Sequence, residues 1–178
     1  MKRTFFIFCL IVFVSPLLAQ TISVKPDEAL KLIFSDSQQV VSEDRTLTPS
    51  QKETVEKRLG SKLSKDIWKF FIAKSGARID GYALIDHEVG KTEPITFLTA
   101  ISPEGTVRQV EILVYREPIG SEVEHSRFRN QYRGKSAEDP IRVGQDIANI
   151  SGATLSARAV TVGVKRAVTL WKVLYGHS

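Results

Sequence analysis

Near the end of the chain runs ISGATLSARAV, residues 150–160. A small, hydroxyl-bearing loop, Ser151-Gly152-Ala153-Thr154, leads into a segment with helical periodicity, and Ser156 adds a further hydroxyl. The first turn of a helix leaves main-chain N–H groups unpaired and carries a partial positive charge, so it attracts phosphate. Gly152 and Ala153 keep the approach clear of bulk, and Thr154 sets a hydroxyl at the positive end. The chemistry available there is the holding of a phosphate and its joining to the threonine oxygen. The same residues also make an ordinary helix start, because Ser and Thr cap helices. Spacing alone leaves both readings open.

Other chemistry-bearing groups lead nowhere comparable. Gly134-Lys135-Ser136 looks like the end of a phosphate loop, yet Arg129 stands where such a loop needs its first glycine, and a helix precedes it. His87, His125 and His177 are far apart in sequence and lack metal-ligand spacing, so no metal site is expected. Asp86-His87-Glu88 reads as a polar loop with three solvated side chains. No G-x-S-x-G nucleophile elbow is present.

The elements that must position these groups fit one α+β domain. Pro26 to Leu30 opens a short helix with Leu30, Ile33 and Phe34 on one side. Ser35 to Gln39 reads as a polar patch, followed by Val40-Val41. Thr48, Pro49 and Gln51 spell a capping box for a charged, peripheral helix that ends at Gly60 and turns only Val55 and Leu59 inward. From Ile67 to Tyr115 four apolar runs separated by turns predict a four-stranded antiparallel meander. Ser121 to Arg133 reads as one helix, capped by Ser121 and ended by Gly134. A last helix is expected from about Ser156 to Tyr175, with Val160, Val164, Val168, Trp171 and Tyr175 as its buried stripe.

The first nineteen residues read differently. Lys2 and Arg3 precede an apolar run from Phe5 to Val14, then Ser15-Pro16 and a small residue at Ala19, the pattern of a cleavable export signal. Its loss removes two of the basic residues behind the net charge of +5 and leaves +3. Charges of both signs are interleaved, which gives no footprint for nucleic acid. Cys9 is the only cysteine and leaves with the leader, so no disulfide or thiol nucleophile is expected.

Ser151-Gly152-Ala153-Thr154, with Ser156 following, resembles the flavinylation motif of the FMN-binding domain family. That family includes the C subunit of sodium-pumping NADH:quinone reductases and the G subunit of Rnf complexes. Tyr115-Arg116-Glu117-Pro118-Ile119-Gly120 is similar to a shortened form of the family's H-x-E-T-P-G-x-G element. Phe128, Tyr132, Gly134 and Lys135 are similar to the aromatic and G-K segment after it. The resemblance covers about residues 78 to 170.

It implies an FMN-binding-domain-like antiparallel meander packed with helices; with the leader and helix patterns read above, the chain divides into residues 1–19 as signal peptide, 20–66 as an N-terminal helical segment that matches nothing in the family, and 67–178 as the FMN-binding domain. It implies FMN as cofactor, joined through its phosphate to Thr154 by a magnesium-dependent flavin transferase outside the cytoplasm. Ser151, Gly152, Ala153 and Ser156 would belong to the attachment site. Glu117 and Gly120 would approach the ring, and Lys135 would neutralise phosphate or reduced flavin. One departure stands out: the family's aspartate six residues before the threonine is Ala148 here, with Asp146 the nearest acid.

No acid, base or hydride-donor site is evident, so the expectation is an exported, periplasmic electron-transfer flavoprotein working with a membrane redox protein. The alternatives are a non-redox binding or assembly module on the same fold, and the flavin-carrying subunit of a membrane ion-pumping reductase.

Overall fold

The computed structural model describes residues 22–176. The expected leader and His177 lie outside them. Six strands form one antiparallel sheet: β1 (Ile22–Ser23), β2 (Gln39–Thr46), β3 (Ile67–Ser75), β4 (Arg78–Val89), β5 (Pro94–Ile101) and β6 (Val107–Tyr115), in the spatial order β1-β6-β5-β4-β3-β2. The four strands from β3 to β6 are the meander that the apolar runs predict. β2 adds an edge strand through eight residues paired with β3. Its sequence, QVVSEDRT, reads as polar because every one of its residues is half-exposed or exposed.

Alternation sends Trp68, Phe70 and Ile72 of β3 to one face, together with Tyr82 and Leu84, Ile95 and Phe97, and Val110 and Ile112 from the following strands. The long helix α4 (Thr154–Tyr175) crosses that face with Val160, Val164, Ala167, Val168 and Trp171 buried. It lies so close that a Cβ on Gly163 would stand 2.1 Å from the Phe97 ring. The helix α2 (Pro49–Leu59) packs beside it through Val55, and the Thr48–Gln51 capping box and the Gly60 stop form as its sequence spells them. On the opposite face, α1 (Pro26–Ile33) and Phe34 cover Ala73, Ala83, Leu98, Ala100 and Leu113. No described helix is long and apolar enough to cross a membrane.

Several expectations change. The segment 20–66, expected as helical, also holds β1 and β2, and α2 buries Glu56 beside Val55 and leaves Leu59 half-buried. Asp86-His87-Glu88 is not a solvated loop but part of β4: alternation turns Asp86 and Glu88 toward α4, where Arg166 pairs with Asp86 at 2.5 Å and also with Glu88, while His87 faces out. The segment 121–133 is not one helix. It is a 3-10 turn at Ser121–Glu124, a single turn α3 (Ser126–Arg129), and a second 3-10 turn at Asn130–Tyr132. Extended backbone at His125 breaks it, and the resulting register buries Val123, Phe128 and Tyr132 together. The last helix starts two residues early, at Thr154, and its N-cap is Ala153, which offers no capping side chain.

Candidate functional site

The start of α4 is held by the turn that follows β6. Tyr115, the last residue of β6, donates its hydroxyl to the Ile119 carbonyl at 2.7 Å. With that proton committed, the Ser156 hydroxyl, 3.1 Å away, donates to the phenol oxygen. Burial pushes the Tyr115 phenol up; Ser156 works against it, and the nearby Glu117, Glu124 and Glu122 add to it, so the phenol stays protonated. Gly120, with φ +96°, passes directly over this pair. A Cβ there would stand 2.9 Å from both hydroxyl oxygens and 3.4 Å from Ala153 Cα. Gly120 and the buried Ser156 therefore dock the 116–120 turn onto α4.

Glu117 is 5% exposed and points at a different turn. Its carboxylate accepts the main-chain N–H groups of Lys91, Thr92 (2.7 Å) and Glu93 (3.1 Å), and the Thr92 hydroxyl at 2.9 Å. This fastens the β4–β5 turn to the site and puts Lys91 on the rim of a hollow that Thr154 also lines. Lys91, Ile119, Leu155 and the 152–154 backbone line a hollow of about 200 Å3. The sequence offers no mark for Lys91, which lies in a hairpin far upstream; the partner of Glu117 was the missing clue.

Thr154 occupies the first helical position, half-buried. Its Oγ1 accepts from Asn149 Nδ2 at 3.2 Å and donates to the Ile150 carbonyl at 3.4 Å. The Ala157 N–H is the first to close onto the helix, at the Ala153 carbonyl. The N–H groups of Thr154, Leu155 and Ser156 therefore precede the hydrogen-bond ladder, and no side chain caps them. Gly152, with φ +86°, has open space where a Cβ would project, and Ser151 is exposed.

On another side lies a hollow of about 400 Å3 lined by Glu122, His125, Phe128, Ala148, Asn149 and Ser151, among others. Ala148 opens onto it and adds no charge. Glu122 is the acid present, and its Oε2 is buried without a hydrogen-bond partner among the described residues.

Lys135 is placed apart from this group. It pairs with Asp146 at 2.8 Å and borders neither hollow. Asp146 in turn accepts the N–H groups of Ile141 (3.1 Å) and Arg142 (2.8 Å). Burial works against the Asp146 charge, but Lys135 and these N–H groups outweigh it and hold the carboxyl below its usual range. Of the residues singled out by sequence, Ser151, Gly152, Ala153, Thr154, Ser156 and Gly120 come together at the start of α4. Glu117 braces it from the next turn, and Lys135 serves the 141–142 loop.

Comparison with known proteins converges on the same segment. Residues 90–169 match the family model described as FMN-binding domain. The chain is 31% identical, over 107 residues, to the G subunit of the proton-translocating ferredoxin:NAD(+) oxidoreductase complex of Clostridium ljungdahlii, covering 56% of this chain and 57% of that protein. It is 26% identical, over 132 residues, to the G subunit of the Na(+)-translocating ferredoxin:NAD(+) oxidoreductase complex of Acetobacterium woodii, covering 68% and 64%. The chain thus spans about six tenths of the length of these relatives.

Its fold matches the crystal structure of Shewanella oneidensis NqrC with TM-score 0.57 and 16% identity, over 84% of this chain and 87% of the other. It also matches the C subunit of the Na(+)-translocating NADH-quinone reductase of Parabacteroides distasonis, with TM-score 0.52 and 14% identity, over 88% and 86%. The site fits FMN: uncapped N–H groups suit its phosphate, and the exposed Ile119 and Leu155 offer apolar contact beside it.

Proposed function

We propose, from the premise that this chain carries an FMN-binding domain over residues 90–169, that its FMN is bound through a phosphoester to Thr154. The loaded chain would relay electrons between a membrane redox protein and an acceptor outside the cytoplasm. The observation that carries this reading is the Thr154 hydroxyl at the first position of an uncapped helix of 22 residues.

In the attachment step Thr154 Oγ1 would bond to the flavin phosphorus of an activated flavin dinucleotide as the phosphorus–oxygen bond to its second phosphate breaks, and the departing nucleotide takes up the hydroxyl proton. The chain gains the mass of FMN less water. A magnesium-dependent flavin transferase is the partner that performs this. The Asn149 amide and the Ile150 carbonyl hold the hydroxyl in place, and the N–H groups of residues 154–156 bind phosphate oxygens, with Lys91 adding positive charge. Once bound, the flavin supplies the redox chemistry, and the protein supplies attachment and orientation. The basic and apolar leader pattern of residues 1–19 supports export.

The chain co-produced with a flavin transferase keeps flavin fluorescence on a denaturing gel, and Thr154→Ala abolishes it. A colourless wild-type band rejects the phosphoester; flavin absorbance in the native protein then identifies non-covalent FMN, to which Ala148 points. A second reading is favoured by the names of the relatives: the chain is itself a subunit of a membrane ferredoxin- or NADH-linked complex. Recovery with an intact N-terminus in the membrane fraction, alongside other subunits, supports that reading.

A further inference from the structure

A cavity of about 450 Å3 lies along α4, bounded also by the end of α2 and the 140–143 loop. That is an ordinary size for a small-molecule site. The helix α4 supplies Arg158, Thr161, Val162 and Lys165, and α2 supplies Arg58 and Leu59. Thr154 lines a different hollow.

The charge of the lining has one sign. Arg58, Arg142, Arg158 and Lys165 contribute four cations, and among the described residues no carboxylate lines the cavity. The nearby acids are engaged elsewhere. Glu138 pairs with Arg58 at 3.2 Å, an exposed pair. Asp139 accepts the Ser136 N–H at 2.8 Å and the Ser136 hydroxyl at 2.9 Å. Asp146 pairs with Lys135 and accepts the N–H groups of Ile141 and Arg142. Arg142 and Arg158 enter no ion pair among the described residues. The Lys165 ammonium donates to the main-chain carbonyls of Ala137 (2.8 Å) and Asp139, which are dipoles and not charges. Burial pulls that ammonium below its usual range; Glu138 opposes this and Arg58 adds to it. Cations gathered without counter-ions repel one another, and a bound anion relieves the repulsion.

Between the cations the wall is apolar, formed by Leu59, Pro140, Val143 and Val162, the last 48% exposed. The loop is prebuilt. Asp146 holds Ile141 at φ +42°, a costly value for a β-branched residue, and so fixes Arg142 next to it. Strained backbone of this kind clusters at ligand sites.

We propose that this cavity binds a small organic dicarboxylate, a molecule with two acid groups on an apolar body. A guanidinium meets a carboxylate through two parallel N–H bonds. Arg142 and Arg158 stand on different elements, each without an anionic partner, so they suit two separate acid groups better than one compact phosphate. The apolar wall suits the hydrocarbon between those groups. Arg58 and Leu59 lie outside residues 90–169, so the site extends beyond the matched domain. It stands apart from the phosphoester reading.

The test is isothermal titration calorimetry at low ionic strength with adipate, hexanoate and inorganic phosphate. Adipate carries a carboxylate at each end of a flexible chain. Hexanoate keeps the chain but loses one carboxylate, and phosphate keeps the charge without the chain. Adipate binds about ten-fold more tightly than either, and Arg142→Gln and Arg158→Gln each remove about ten-fold of its affinity. Lys31→Gln, which deletes the same charge from α1 on the opposite face of the sheet, leaves adipate binding unchanged. Circular dichroism melts show which variants remain folded. Val162→Glu, at an exposed position, puts an acid among the cations and abolishes binding even where an arginine variant melts early. Equal affinity for the three probes overturns the proposal, as does equal adipate binding in wild type and the cavity variants. Binding of a polyglutamate peptide without binding of adipate also overturns it and makes the cavity a protein interface. The titration is run on chain produced with and without a flavin transferase. Adipate binding by the flavin-free chain alone assigns the cavity to the flavin and overturns the proposal. If neither preparation holds flavin, the attachment reading fails separately and the arginine comparison still decides.

Discussion

Three successive N–H groups and one hydroxyl converge on Glu117. Burial disfavours its charge, but these donors outweigh burial, and the carboxyl titrates below the usual glutamate range. In the unfolded chain it returns to an ordinary value of about 4.3. Because the folded value is the lower one, the stabilisation is complete above the unfolded value and is lost as pH falls through the folded one. Glu117→Gln keeps the shape and removes the charge, which costs about 1–3 kcal/mol at neutral pH. Urea unfolding at pH 7 and at pH 3 checks this: the gap between variant and wild type narrows in acid. A gap of constant size would mean that Glu117 acts by shape and not by charge. Lys135 teaches a related point. Its charge is visible in the sequence, but Asp146 claims it, and only the folded chain brings the two together.

The turn after β6 and the start of α4 form one knot through Tyr115, Ser156 and Gly120. Gly120→Ala meets two obstacles, a positive φ and a Cβ that overlaps both hydroxyls. Together they cost about 2–4 kcal/mol, which in a chain of this size lowers Tm by about 5–10 °C in a calorimetric melt. An unchanged Tm would show that the turn can lift from the helix freely. Elements of this kind were unevenly legible. The capping box of α2 and the meander from β3 to β6 are written in local chemistry and alternation, and both form where the sequence puts them. The edge strand β2 was hidden because its pairing partner, not its apolar content, makes it a strand. The break at His125 was hidden because burying Val123, Phe128 and Tyr132 at once decides it. The hydroxyl-rich start of α4 was legible in place but not in detail: Ser151 and Gly152 are at the surface and Thr154 is half-buried, whereas Ser156 is spent on Tyr115.

One sheet carries α4 and α2 on one face and α1 on the other, and the segment before β3 belongs to both layers. It supplies Leu30, Ile33 and Phe34 to the α1 face, and Leu47, Val55 and Leu63 to the α4 face, each at most 8% exposed. At about 1.5–3 kcal/mol per buried side chain, these contribute on the order of 10 kcal/mol. That is comparable with the whole stability of an ordinary domain, about 5–15 kcal/mol. The same segment covers the β3 edge with β2, and an uncovered β3 would offer unpaired N–H and C=O groups to other chains. A chain of residues 67–178 would still contain the entire FMN-binding match and Thr154, yet lack this cover. It is therefore expected to show no cooperative thermal transition and to sediment as aggregate, while residues 22–178 melt as one unit. Circular dichroism melts and analytical ultracentrifugation of the two chains decide the matter. A sharp transition in the shorter chain would mean that the flavin domain stands alone and that the preceding segment is an accessory.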